Sequence, residues 1–143
     1  MKDVKIKIKS TQRDPDGDEL DINIACDGRM ELRAGRIYIK YEEDISGEGD
    51  IVENTVSFDA EERDIISLAR TGGTRMSCVF EQGKRYPCTY ELAFGALSLV
   101  ISSQNVKNSI SYDEGGEMLL EYTIESRGLI MQKAKYRLTV ENA

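Results

Sequence analysis

The sequence contains no histidine, and that one absence excludes more chemistry than any other feature of its 143 residues. Without an imidazole there is no Ser-His-Asp or Cys-His arrangement and no histidine-ligated metal. Lysine, tyrosine, cysteine and carboxylate chemistry survive, but the commonest general base does not. Cysteine is scarce as well: Cys26, Cys78 and Cys88 make an odd number with no CxxC spacing. Long apolar runs are missing, since stretches such as Leu99-Val100-Ile101 fall far short of the ~20 residues needed to span a bilayer. The opening Met1-Lys2-Asp3-Val4-Lys5 leads into alternation instead of a signal-peptide core. Together these absences predict a cytoplasmic protein with three free thiols and no cofactor. Positive charge is also in deficit, with 19 basic against 26 acidic residues and a formal charge of −7. Such a surface repels phosphate, so neither nucleic acid nor membrane is an expected partner.

What is present is period-two alternation, the mark of half-buried strands. Val4, Ile6 and Ile8 alternate with Lys5, Lys7 and Lys9. After the turn Asp14-Pro15-Asp16-Gly17-Asp18, the residues Leu20, Ile22, Ile24 and Cys26 alternate with Glu19, Asp21, Asn23 and Ala25. One hairpin register satisfies both faces: Ile8 meets Ile24, Ile6 meets Cys26, Lys5 meets Asp27 and Thr11 meets Asp21. A three-residue turn at Asp27-Gly28-Arg29 is expected next, because it keeps Met30, Leu32 and Ala34 on the core face. A two-residue loop beginning at Gly35 is then expected, setting Ile37 against Ala34. Further alternating segments follow through Val52–Phe58, Ile65–Ala69, Met76–Phe80, Tyr86–Tyr90, Leu97–Ile101, Ile110–Tyr112, Met118–Ile124 and Ile130–Val140. Only Asp59-Ala60-Glu61-Glu62 offers a helix start, and it is too short for more than one turn.

The fold class is therefore all-β, one domain over residues 1–143. About ten strands joined by short turns, each with one apolar face, bury those faces and lose their exposed edges by closing into an antiparallel up-and-down barrel. The expected core is Val4, Ile6, Ile8, Ile22, Ile24, Leu32, Ile39, Val56, Met118, Leu120 and Ile124. Nothing in the pattern fixes an oligomeric state.

Several short motifs resemble a bacterial family, the YwiB-like proteins. They are Tyr41-Glu42-Glu43, Thr55, Leu68-x-Arg70-x-Gly72, Met76 with Phe80, and Tyr90 through Gly95. Where that family carries Tyr-x-Thr-Pro-Tyr-Gly, this chain has Tyr90-Glu91-Leu92-Ala93-Phe94-Gly95. The resemblance spans nearly the whole chain. It implies a calycin-like, lipocalin-related barrel and no established activity.

Four constellations could carry function. The carboxylates of Asp14-x-Asp16-Gly17-Asp18-x-x-Asp21 are spaced as in calcium loops, but the sixth position is Glu19 and the twelfth Ala25, so a solvated turn is the better reading and no metal is expected. Cys78 and Cys88 fall opposite each other across a Glu81–Arg85 loop and read as buried free thiols. Arg70 and Arg75 face each other if Gly72-Gly73 forms a two-residue loop, and an anion held between them would relieve their repulsion. Tyr41, Tyr90, Tyr122 and Tyr136 lie on predicted core faces and bring hydroxyls that need partners. The candidate ligand-binding set is Arg70, Arg75, Tyr41, Tyr90, Tyr122 and Tyr136, with no catalytic residue assigned. Two functions follow as expectations. One is a barrel holding a small apolar or amphipathic molecule, anionic if the arginines act together. The other is a non-enzymatic accessory protein that meets other proteins through the outside of a solidly packed barrel.

Overall fold

The computed structural model describes residues 1–44, 47–92 and 95–143. Ten antiparallel strands follow one another: β1 (Lys2–Arg13), β2 (Glu19–Arg33), β3 (Arg36–Asp44), β4 (Ile51–Asp59), β5 (Glu62–Gly72), β6 (Arg75–Glu81), β7 (Arg85–Leu92), β8 (Gly95–Asn108), β9 (Gly116–Ser126) and β10 (Leu129–Asn142). Each pairs with its sequence neighbours, and β1 pairs with β10 to close the barrel. Closure leaves no sheet edge, as the alternation of apolar faces requires.

The first hairpin has the expected register, with Ile8 opposite Ile24, Ile6 opposite Cys26, Lys5 opposite Asp27 and Thr11 opposite Asp21. Val4, Ile6 and Ile8 are buried while Lys5, Lys7 and Lys9 are exposed. The next step differs from expectation. There is no turn at Asp27-Gly28-Arg29: β2 runs straight through, pairing with β1 as far as Met30 and with β3 from Arg29 onward. A three-residue turn and an unbroken strand both leave Cys26 and Met30 on one face, so parity alone does not separate them. Gly28 serves packing here. A Cβ at this position would run into Ile6 Cδ1 and lie 2.7 Å from the Lys40 carbonyl oxygen.

The true hairpin turn is Ala34-Gly35, one residue earlier than expected, so Ile37 lies opposite Leu32 and not Ala34. Both turn residues have positive φ, 50° and 77°, the primed turn that matches strand twist. At the next glycine pair the loop is longer than expected, and Arg70 stands opposite Met76. The one-residue difference reverses parity, so Arg75 is exposed on the outer face while Arg70 is directed inward with Ile66 and Leu68. Ile110 and Tyr112 form no barrel strand. They belong to the β8–β9 connection, which seats Ile110 fully buried in the core.

In an up-and-down barrel, the starts of odd strands and the ends of even strands meet at one end. At that end the inward positions are Val4, Ile6, Met30, Ile37, Ile39, Phe58, Ile66, Phe80, Met118 and Leu138, all at most 2% exposed. They form a solid plug. Val56 and Leu120 are buried with them as expected. Leu32, expected in the core, is 48% exposed because it sits at the β2–β3 turn beyond the plug. Ile22, Ile24 and Ile124 are only half-buried, because the other end of the barrel is hollow.

Candidate functional site

The hollow end encloses a cavity of about 590 Å³. Its wall comes mostly from the ends of odd strands and the starts of even strands, the opposite halves from those that form the plug, with Phe80 of the plug also lining it. One side is apolar, built from Leu68, Met76, Cys78, Phe80, Cys88, Leu99 and Ile101 on β5–β8. The inward alternation of β1, β3, β4, β5 and β10 carries polar residues here: Ser10, Gln12, Glu43, Asn54, Arg70 and Gln132. At the plug end the same strands present Val4, Ile6, Ile37, Ile39, Phe58, Ile66 and Leu138 inward. A change of inward residue from apolar to polar along a strand is the sequence sign of a hollow, and it was not read that way for Gln12, Glu43, Asn54 or Gln132.

Glu43, Asn54 and Arg70 come together because they sit on three adjacent strands, with Asn54 paired to Arg70 in the β4–β5 register. Arg70 Nε donates to Asn54 Oδ1 at 2.9 Å, and an Arg70 terminal nitrogen donates to Glu43 Oε1 at 3.1 Å. Asn54 Nδ2 donates to the same Glu43 oxygen at 3.1 Å. Asn54 is 1% exposed, while the Arg70 and Glu43 side chains are 19% and 24% exposed. The guanidinium thus meets a carboxylate and an amide, and the set is neutral overall. An anion clamp formed by Arg70 and Arg75 does not exist, since Arg75 lies opposite Glu91 on the outer surface. Gln132 Nε2 donates to Gln12 Oε1 at 3.0 Å between β10 and β1.

The other four sequence-predicted residues, Tyr41, Tyr90, Tyr122 and Tyr136, all line the cavity. Tyr41 is 6% exposed. Tyr122 stacks edge-to-face on Phe80, ring centroids 4.9 Å apart, which fixes its ring. Burial pushes the Tyr41 and Tyr122 hydroxyls up to about 12 and moves Tyr136 well above its ordinary value. For Tyr41 a neighbouring Tyr136 hydroxyl acts in the opposite, lowering direction. At neutral pH all three are uncharged phenols.

The cysteines depart from expectation. The structure joins Cys78 and Cys88 as a disulfide across β6 and β7, with Cα atoms 4.9 Å apart, inside the range such bridges need. The sequence already sets the two cysteines opposite each other, and the bond between them overturns the preference for buried free thiols over a redox pair. Cys26 stays free, and burial, reinforced by Asp27 and Glu43, raises its thiol pKa.

The acidic hairpin tip serves its own turn. The Asp14 carboxylate accepts from the backbone N–H of Asp16 and Asp18, both at 3.0 Å. Among the described residues no cluster of three or more potential metal ligands occurs. Nor do they include a helix long and apolar enough to cross a membrane. The motif Tyr90–Gly95 lies partly outside the described residues, at Ala93 and Phe94.

Comparison with known proteins agrees with the architecture. Residues 6–140 match a domain of unknown function, DUF1934. Among solved structures, the YwiB protein of Bacillus subtilis is similar with a TM-score of 0.85 and 20% identity, covering 99% of this chain and 92% of that one. At that identity the likeness shows the fold alone. No curated protein matches the chain.

Proposed function

The chain belongs to the DUF1934 family of unknown function, and from that premise we propose that it is a calycin-like binding barrel that takes one small, mostly apolar molecule into its open end. The observation that carries this reading is the cavity of about 590 Å³, open at one end of a barrel whose other end is packed solid. Ligand pockets commonly measure 300–1,000 Å³ and combine apolar walls with a few fixed polar groups. Here the apolar wall is β5–β8 and the fixed groups are Glu43, Asn54, Arg70 and the tyrosines. With Arg70 already paired to Glu43, an amphipathic but uncharged ligand fits better than an anion.

The alternative, a non-enzymatic accessory protein acting through its outer surface, has no feature of the described outer face that favours it, whereas the cavity favours a binding barrel. The compartment in this reading is the bacterial cytoplasm. That expectation rests on the free thiol of Cys26 and on the alternating N-terminal sequence; the three free thiols first expected are reduced to one by the Cys78–Cys88 bridge.

The test is native mass spectrometry of freshly purified protein, followed by titration with apolar fluorescent probes. Co-purification of a small molecule, or saturable one-to-one probe binding lost when Leu68→Trp fills the cavity, supports the reading. No adduct and no saturable binding would overturn it.

A further inference from the structure

The hydrogen bonds that tie Glu43, Asn54 and Arg70 together use part of what these groups can make. Asn54 Nδ2 and an Arg70 terminal nitrogen both donate to the same carboxylate oxygen, Glu43 Oε1. The second oxygen, Glu43 Oε2, meets no donor among the described residues, and it is not one of the buried polar atoms shut off from solvent. A guanidinium carries five N–H donors, and the contacts of Arg70 with Asn54 and Glu43 spend two of them. The Glu43 and Arg70 side chains remain 24% and 19% exposed, and both line the cavity. A molecule in the cavity therefore reaches an acceptor and several donors within one hydrogen-bonded set.

The set is held in place. Asn54, 1% exposed, stands opposite Arg70 in the β4–β5 register and bonds to Glu43 on β3, so it anchors the side chains on either side of it. Glu43 and Arg70 are the charged residues of the lining, and their charges cancel. A carboxylate brought to Arg70 would also face Glu43, and an ammonium brought to Glu43 would also face Arg70, so either charge meets repulsion with its attraction. The pair Gln12 and Gln132 has the same double character. One N–H to oxygen bond joins them, and whichever way the two amides are turned, it leaves one amide N–H2 and one amide carbonyl unspent.

We propose that the Glu43–Arg70 pair is the recognition site for an uncharged amide edge, a primary carboxamide or a lactam, carried by the molecule that fills the cavity. This rests on the reading of the barrel as a binding cavity. The ligand N–H donates to Glu43 Oε2 and its carbonyl oxygen accepts from Arg70, while the apolar body lies against Leu68, Met76 and Leu99. An amide carries its donor and acceptor on neighbouring atoms and adds no charge, which is what the paired side chains leave open. Specificity comes from the carboxylate: a ligand that accepts but cannot donate desolvates Glu43 Oε2 and returns nothing to it.

The test uses the full chain and follows displacement of an apolar naphthalene fluorophore by three matched ligands. These are octanamide, N,N-dimethyloctanamide, which accepts but cannot donate, and octanoate. Octanamide should bind roughly 10- to 100-fold more tightly than its dimethyl analogue, the span of one hydrogen bond to a charged group, and more tightly than octanoate. Glu43→Gln keeps an oxygen for Arg70 and Asn54 but turns an N–H2 toward the ligand and leaves Arg70 unneutralised. It should remove the preference for octanamide and make octanoate the tightest of the three; Glu43→Met, measured the same way, serves if that variant does not fold. Equal displacement by octanamide and its dimethyl analogue, no displacement by any of the three, or a preference that survives in Glu43→Gln overturns the proposal and leaves the cavity reading standing. Tightest binding of octanoate by the wild type overturns it in favour of Arg70 acting alone. If the fluorophore itself does not bind, the cavity reading falls and the proposal falls with it.

Discussion

Replacing Gly28 with alanine separates a strand from a turn more sharply than any other single change. In a glycine-bulge turn an added methyl group would reach solvent and meet no side chain, so its cost would be backbone strain alone, about 1 kcal/mol, with no coupling to Ile6. In the observed barrel it is added inside β2, where it would collide with Ile6 Cδ1 and stand 2.7 Å from the Lys40 carbonyl oxygen. The Ile6 methyl can move, but the Lys40 oxygen is backbone of β3 and is tied into the β2–β3 ladder. Overpacking of this kind costs about 1–3 kcal/mol. For a domain of this size each kcal/mol lowers Tm by about 2–4 °C. The assay is urea unfolding of wild type, Gly28→Ala, Ile6→Val and the double variant. Shortening Ile6 relieves only the side-chain collision, so the cycle should show favourable coupling and incomplete rescue. A Gly28→Ala protein as stable as wild type, with an unchanged denaturant slope, would refute the continuous strand.

Two more expectations follow from the interior. Protein denatured in an alkylating agent without reductant should carry one alkylated cysteine, Cys26; three would refute the Cys78–Cys88 bridge. Tyr41 and Tyr122 ionise near 10 when exposed but only at about 12 in the fold. A raised folded-state value means their contribution is fully present below pH 10 and is lost as pH rises through about 12. A two-unit difference corresponds to roughly 2–3 kcal/mol for each group. Tyr122→Phe should therefore flatten the fall of urea midpoint between pH 10 and 12, and an unchanged slope would refute the burial argument.

Much of the site was legible as a list and not as a place. Tyr41, Tyr90, Tyr122 and Tyr136 were identified because alternation puts each on an inward face, and all four line the cavity. Arg75 was misassigned because one extra loop residue reverses which face a strand presents, and no local signal distinguished the two loop lengths around Gly72-Gly73. Alternation puts Asn54 on the face of Val52, Val56 and Phe58, but its partners Glu43 and Arg70 lie 11 and 16 residues away and meet it only through cross-strand register. The Cys78–Cys88 bridge was visible as a pair and misread as two thiols.

The sequence by itself determined the class of fold, the closure of the barrel and the inward face of most strands. Those follow from a two-residue period and from the need of every apolar face and strand edge to find cover. Tertiary structure decided which half of the barrel is solid. Every inward position is apolar or polar by its own side chain, but whether ten such positions fill the interior depends on which halves of antiparallel strands are gathered at one end. That gathering sets Phe58, Ile66 and Phe80 into a plug and leaves Tyr41, Arg70 and Tyr136 around a space. A hollow is a property of residues distant in sequence and adjacent only after closure, so it exists in the register and not in any one strand.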